Sequence, residues 1–121
     1  MAKYMLILGG ADLDKRSGNA PLAPKMFEQF MSWMRELKDS GRYVASYKLY
    51  DHTGTRLSVR GGEVVDGPFI ETKEAVGGVF VIEAGSLEEA NAVGRQCPVL
   101  DLQKGYVEVR AVEEVRPPAR G

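Results

Sequence analysis

The chain has 121 residues, with 16 basic and 17 acidic side chains and a net charge of -1. This length supports one ordinary domain with a single core. The near-neutral charge argues against a nucleic-acid partner, because such binding depends on neutralising many phosphates. No stretch is apolar for long enough to cross a bilayer, so we expect a soluble protein with no membrane partner.

The N-terminus and the cysteine content bear on the compartment. The apolar run after Lys3 is too short for a signal-peptide core and lacks a convincing cleavage site. Cys97 is the single cysteine, which excludes an internal disulfide and a multi-cysteine metal site and agrees with a reducing compartment. We therefore expect a cytoplasmic protein in which Cys97 is a small buried hydrophobe.

The first third of the chain predicts a strand, a long loop and a helix. Residues 3–8 form an apolar run typical of a strand covered on both faces. Residues 9–24 carry glycines, prolines and short polar side chains, which predict a loop. Helical spacing then predicts a helix from Pro24 to Ser40, terminated at Gly41. Its apolar face is wide enough to contribute to a pocket or a subunit contact as well as to the core: Met26, Phe27, Phe30, Met31, Trp33, Met34 and Leu37.

The middle of the chain predicts strands joined by short turns. Alternation of side chains predicts strands over residues 43–50 and 55–60. Gly61-Gly62 supplies a two-residue turn into a third strand over residues 63–65, because glycine accepts the positive φ angles of such turns. The pattern indicates two linked hairpins.

The last third predicts a strand, a helix and a closing strand. Residues 78–83 are an apolar strand, and Ser86 and Glu89 have the spacing of a capping box at a helix start. A helix of about 10 residues, near the average length, is expected to run toward Cys97. Residues 106–112 alternate cleanly and predict the last strand.

This order of elements indicates a ferredoxin-like α+β fold, in which an antiparallel sheet carries two helices on one face, with an additional β-hairpin. The other sheet face then lacks a cover, and apolar surface left in water costs about 25 cal/mol per Å². A second copy packed face to face would remove that cost, so we expect a homodimer with closed symmetry. The domain is predicted to span residues 1–114. Residues 115–121 contain two prolines and are predicted to form a flexible C-terminal tail.

One segment of the sequence carries a resemblance to a known family. It reads Asp66-Gly67-Pro68-Phe69-Ile70-Glu71-Thr72-Lys73-Glu74 and continues with Gly77-Gly78 and Phe80-Val81-Ile82-Glu83-Ala84. Together with the first and last strands, it resembles the DGPF proteins of the YCII-related family over residues 3–114. The resemblance implies a dimeric α/β-barrel fold with a cleft in each subunit near the dimer interface.

The resemblance implies two different classes of function. Some relatives in the wider YCII group are small-molecule enzymes such as dehydrochlorinases, whereas DGPF domains are often associated with extracytoplasmic-function sigma factors, and a shared fold transfers neither role. The chain departs from the family at residues 44–51, which replace an Ala-Gly-Glu-Gly-Leu-like segment. If this segment lines the cleft, ligand preference differs from that of relatives. The His-Asp pair of the wider group does not match His52 and Asp66 motif for motif.

Two residues are candidates for catalytic proton transfer. Asp66 opens an Asp-Gly-Pro sequence typical of a turn, and the alternative is a cleft carboxylate acting as a general base beside Glu71 or Glu74. His52 is the only histidine, and imidazole exchanges protons near neutral pH. Its setting in residues 51–54 is first of all typical of a polar turn.

Five further residues are candidates for ligand binding: Arg56, Arg60, Phe69, Lys73 and Glu74. The two arginines would steer an anionic ligand, whereas Lys73 lies between two acids and equally fits a surface ion pair. We expect no metal and no cofactor: a lone histidine excludes a histidine-rich metal centre, although one histidine with carboxylates would still be compatible with a metal. The sequence has no phosphate-binding glycine loop and no Gly-x-Ser-x-Gly elbow, which argues against nucleotide hydrolysis and the common serine esterase plan. The sequence predicts a domain that binds or transforms a small molecule. The alternative is a non-enzymatic accessory or sensory module that acts through protein partners.

Overall fold

The computed structural model of the chain describes residues 1–10, 24–49, 54–67, 76–102 and 104–119. The elements in these residues are, in chain order, β1 (Ala2–Gly9), α1 (Pro24–Asp39), β2 (Tyr43–Lys48), β3 (Arg56–Arg60), β4 (Glu63–Gly67), β5 (Val76–Ala84), α2 (Leu87–Arg95), a 3₁₀ turn (Pro98–Asp101) and β6 (Tyr106–Val112).

Four of the strands form one antiparallel sheet in the order β2-β5-β1-β6. Strands β3 and β4 form a separate two-stranded hairpin, inserted in the chain between β2 and β5. Without this hairpin the strand order is that of a ferredoxin-like fold, so the predicted α+β class with an additional hairpin is confirmed. Of the two predicted linked hairpins, the one that turns at Gly61-Gly62 is confirmed as β3–β4. The hairpin of β2 with the following strand is wrong, because β2 pairs with β5 across the insertion. The sheet of the single chain stays open and does not close into a barrel.

Both helices pack on the same face of the sheet. Phe80, Leu6 and Val109 are cross-strand neighbours on β5, β1 and β6, and they therefore share one face. The Trp33 ring of α1 lies 4.8 Å from the Phe80 ring, measured between centroids. On α2, a Cβ placed on Gly94 would lie 3.2 Å from the Val109 side chain, so this helix packs on the same face of the sheet, over β6. The core lies between the sheet and these two helices.

The opposite face of the sheet, the outer face, is apolar across β1 and β5. Its side chains there are only partly buried: Met5, Ile7, Val79 and Val81. Ala45 and Tyr47 extend the apolar rows onto β2, while β6 contributes Glu108 and Arg110, which form an ion pair of 3.0 Å. Among the described residues, no helix covers the outer face.

The start of α2 is fixed by the predicted cap. Ser86 is the N-cap residue, and its hydroxyl accepts a hydrogen bond of 3.1 Å from the Glu89 amide. The Glu89 carboxylate accepts from the Gly85 amide at 3.1 Å, one residue earlier than the usual reciprocal bond. The same carboxylate accepts from Arg42 Nη2 at 2.5 Å, which ties α2 to the chain entering β2.

Replacing Ser86 with alanine is expected to lower the free energy of unfolding by about 1 kcal/mol, because one amide at the helix start loses its acceptor. Urea unfolding at a fixed protein concentration measures the change. Ser32→Ala is the control, since Ser32 lies exposed within α1 and the substitution is expected to change stability by no more than about 0.5 kcal/mol. Equal effects of the two substitutions would contradict the capping role of Ser86.

Candidate functional site

A cleft of about 290 Å³ lies between α1 and the part of the sheet formed by β2 and β5. Helix α1 supplies one wall through Phe27, Phe30, Met31 and Met34. These positions are spaced by three or four residues and therefore form one stripe along the helix. The stripe lies beside the buried Trp33, so α1 divides its broad apolar face between the core and the cleft.

Glycines of β5 form the floor of the cleft. Gly78 is buried on the helix-facing side of the sheet, between its cross-strand neighbours Leu8 and Lys48. A Cβ placed on Gly78 would meet only backbone atoms of β2, at 3.0 Å from the Tyr47 carbonyl oxygen and 3.8 Å from the Lys48 Cα atom. No side chain of the described residues occupies the space above Gly78, and that space is part of the cleft.

The polar groups of the cleft lie together on β2. Ser46, Tyr47 and Lys48 contribute to the lining, and the Ser46 hydroxyl lies 2.6 Å from the Tyr43 hydroxyl in a hydrogen bond. The Lys48 ammonium donates to the Leu49 carbonyl at 3.3 Å. Hydroxyl and ammonium groups are hydrogen-bond donors, and the lining within the described residues includes no carboxylate or imidazole. The cleft therefore offers a large apolar surface with donors along one edge.

Trp33 forms the layer behind the cleft. Its ring lies 4.8 Å from Phe80 and 6.4 Å from Phe30, and both of these rings line the cleft. Trp33 is the single tryptophan of the chain and is only 4% exposed. Its indole Nε1 has no hydrogen-bond partner among the described residues. Tryptophan emission is therefore a local reporter of changes in the cleft wall.

Three of the predicted site residues lie on the β3–β4 hairpin. Arg56, Arg60 and Asp66 are exposed, and none of them lines the cleft. Asp66 pairs with Leu57 across the hairpin and, with Gly67, ends β4. Strand β4 therefore runs two residues beyond its predicted end at Val65. The turn predicted for Asp66-Gly67-Pro68 continues outside the described residues and stays a prediction.

The other predicted site residues, His52, Phe69, Lys73 and Glu74, lie outside the described residues. The hairpin itself carries an apolar face. Leu57, Val59 and Val64 share that face through the pairing of Val59 with Val64, and all three are exposed; Asp66, the cross-strand neighbour of Leu57, lies at its edge. This hairpin face is a second apolar surface, separate from the cleft.

None of the described residues predicted to act on a ligand lines the cleft, and most of the lining residues were indicated only as parts of broader segments. The broad apolar face of α1 indicated a pocket or a subunit contact, but periodicity alone does not show which positions stay uncovered. The Gly77-Gly78 pair was a second signal, because adjacent glycines inside a strand mark a close backbone approach or an unfilled space. Segment 44–51, where the chain departs from its relatives, includes Ser46, Tyr47 and Lys48 of the lining.

Cys97 is not a reactive group of this site. Its side chain is buried, and burial raises the pKa of the thiol to about 12. The thiol therefore stays protonated near neutral pH, where a thiolate is needed for nucleophilic attack or metal binding. The interpretation of Cys97 as a small buried hydrophobe is confirmed.

Among the described residues, no group of three or more His, Cys, Asp or Glu side chains is arranged to hold a metal ion. No helix in the described part of the chain has both the length and the apolar character needed to span a membrane.

Fold and site together define an α+β ferredoxin-like domain with an apolar cleft between its first helix and its sheet. The model of the YCII-related domain matches residues 6–116, nearly the whole chain, and the chain therefore belongs to the YCII-related family. Among curated proteins, no significant match to the chain was found.

Proposed function

We propose that this cytoplasmic protein binds a small apolar molecule in the cleft and works as a homodimer with each cleft beside the dimer interface. The observation that carries the proposal is the cleft itself, about 290 Å³ of space with mostly apolar walls and a few polar groups on one strand. Ligand sites typically have this composition and volumes from about 300 Å³ upward.

The energetics of an open apolar cleft support ligand binding. Protein interiors are close-packed, and voids in apolar surroundings forfeit dispersion contacts. Phe27 at the mouth remains 52% exposed, although a helix residue of this size gains free energy from burial. A ligand that fills the cleft buries Phe27 and the bare floor at Gly78 together, which is the favourable change that drives binding.

The outer face of the sheet supports the homodimer. Cross-strand pairs place Val81 beside Met5 and Val79 beside Ile7, so the apolar side chains form a continuous patch. Exposed patches of this kind mark interaction surfaces. In a two-fold symmetric dimer the same patch meets itself, and two sheets stacked face to face lie about 10 Å apart. Such a dimer is the barrel arrangement that the family resemblance implies.

Tyr47 connects the cleft with the proposed interface. It contributes to the cleft lining, and it is the cross-strand neighbour of Val79 on the outer face. Its side chain is exposed in the single chain. A second copy packed on the outer face would therefore contact the Tyr47 side chain, while the Tyr47 backbone borders the cleft through its carbonyl oxygen, which would lie 3.0 Å from a Cβ on Gly78.

Proton transfer by Asp66 and His52, with Arg56 or Arg60 steering an anionic ligand, stays a prediction. Asp66 and the arginines are exposed on the hairpin, and the described lining of the cleft supplies hydrogen-bond donors without a general base. Binding is therefore the function that the geometry supports best, and turnover requires groups beyond the described lining.

A second candidate function rests on the hairpin. Its exposed apolar face, formed by Leu57, Val59 and Val64, is suited to contact another protein. An accessory or sensory module that engages a partner such as a sigma factor would use this surface. Under this alternative, Val59→Asp prevents complex formation with the purified partner, and the cleft variants below leave the complex intact.

Phe27→Ala is expected to weaken binding of the fluorescent dye 8-anilinonaphthalene-1-sulfonate about tenfold, because the wall of the cleft loses an exposed ring that contacts the apolar rings of this anionic dye. A fluorescence titration of the folded protein measures the dissociation constant. The matched control is Leu87→Ala on α2, where the side chain is 51% exposed and does not line the cleft. The same affinity in both variants would contradict the assignment of the cleft as the binding site.

A further inference from the structure

We propose that the ligand of the cleft is a planar aromatic molecule of one or two rings that carries a hydrogen-bond-accepting substituent at one edge. This inference rests on the proposed function and names the chemical class that the cleft selects. It follows from three features of the lining, namely its volume, its narrow floor and the chemistry of its walls.

The volume sets the size of the ligand. An enclosed apolar cavity of about 150 Å³, lined by aliphatic and aromatic side chains, accepts one benzene molecule. The cleft offers about 290 Å³, roughly twice that space. Two fused rings therefore match the cleft, and a single ring leaves room for substituents.

The floor sets the shape of the ligand. Gly78 has no side chain, and a Cβ at this position would meet only the backbone of β2. The floor there is consequently a gap one residue wide, bordered by the side chains of Leu8 and Phe80 on the same face of the sheet. A planar ring is thin enough to enter such a narrow gap edge-on, whereas a puckered saturated ring is thicker.

The walls set the chemistry of the ligand. Phe30 and Phe80 present rings to the cleft, and aromatic pairs gain specific edge-to-face or offset-stacked contacts beyond simple burial. Met31 and Met34 add thioether sulfur atoms, which also favour contact with aromatic rings. A saturated ligand of equal size receives the apolar burial and none of these ring-specific contacts.

The polar edge sets the orientation of the ligand. Ser46 and Lys48 lie on β2, along one side of the cleft, and their hydroxyl and ammonium groups match an acceptor oxygen on the ligand. The opposite wall, formed by α1, presents Phe27, Phe30 and the two methionines. A ring system with a single hydroxyl or similar substituent therefore fits with this group toward β2.

The test compares two probes that share one carbon skeleton, 1-naphthol and decahydro-1-naphthol. Isothermal titration calorimetry of the full chain is expected to show 1-naphthol binding at least tenfold more tightly. In a protein labelled at the methionine ¹³C-methyl groups, bound 1-naphthol is expected to shift the Met31 and Met34 signals upfield through its ring current. Met5, on the outer face of the sheet, is the internal control and is expected to stay unchanged.

A variant separates the ring contact from apolar burial. Phe30→Leu keeps an apolar wall and removes the ring, so the affinity for 1-naphthol is expected to fall at least threefold while that for decahydro-1-naphthol stays the same. Equal or tighter binding of decahydro-1-naphthol to the unmodified chain, with shifts at Met31 and Met34, overturns the aromatic class and leaves the proposed function standing. Binding of neither probe, or shifts at Met5 alone, overturns the aromatic class and also counts against the cleft as the binding site.

Discussion

Gly105→Ala is expected to lower the free energy of unfolding by about 3 kcal/mol or more, because the position has no room for a side chain. A Cβ at Gly105 would overlap the Val99 carbonyl oxygen, and it would also lie 3.0 Å from the Val99 carbonyl carbon and 3.2 Å from the Leu102 carbonyl oxygen. All of these are backbone atoms, which do not move aside as a flexible side chain does. Urea unfolding at a fixed protein concentration measures the loss.

The control for this substitution is Gly41→Ala. Gly41 follows α1 with a φ of 76°, and a Cβ placed there meets nothing within 4 Å. Alanine at Gly41 therefore carries only the cost of left-handed backbone, about 1 kcal/mol. A loss at Gly105 no larger than the loss at Gly41 would show that the 3₁₀ turn and the start of β6 are not packed as described.

Val81→Glu is expected to raise the dissociation constant of the proposed homodimer at least about a hundredfold, a change of roughly 2.7 kcal/mol. Val81 lies on the outer face between Met5 and Ala45, at the middle of the apolar patch. Two-fold symmetry brings two such carboxylates into one interface, where each loses water and faces a like charge. Sedimentation equilibrium over a range of concentrations measures the constant.

The control introduces the same charge on another surface. Val115→Glu replaces a side chain that is 90% exposed near the C-terminus, outside every strand and helix. This variant is expected to keep the dissociation constant of the unmodified chain. If Val81→Glu remains as dimeric as Val115→Glu, the outer face is not the dimer interface.

Local signals in the sequence were sufficient for most of the secondary structure. Ser86 predicted the start of α2 because its hydroxyl satisfies an amide of its own first turn. Gly61 and Gly62 predicted the hairpin turn because both adopt positive φ, 61° and 81°. Strand β6 has the bounds expected from alternation, Tyr106–Val112. In each case the responsible interactions lie within a few residues along the chain.

The pairing of strands that are far apart in the sequence could not be predicted from such local signals. Strand β2 was expected to pair with the following strand, but it pairs with β5 across the whole hairpin insertion. The alternation of side chains specifies which face of a strand is apolar, but it does not determine which other strand pairs with it. The choice depends on the packing of α1 over β2 and β5, which brings together residues far apart in sequence.

The residues of α1 that stay uncovered in the cleft could not be predicted, for a related reason. Leu37 and Phe27 both lie on the apolar side of α1, yet Leu37 is buried in the core while Phe27 stands at the mouth of the cleft. Helical periodicity treats the two positions alike. Phe27 and Gly78 both line the cleft, and the missing side chain of Gly78 contributes to the space there. The cleft is an unfilled volume between two surfaces, α1 and the facing strands, so it depends on how these two surfaces pack together.

Sedimentation velocity of the unmodified chain at micromolar concentration tests most directly the claim that a second copy covers the outer face next to each cleft. The account predicts a single species of twice the 13.3 kDa chain mass. A species of one chain mass, with the circular dichroism of the folded protein, would contradict it.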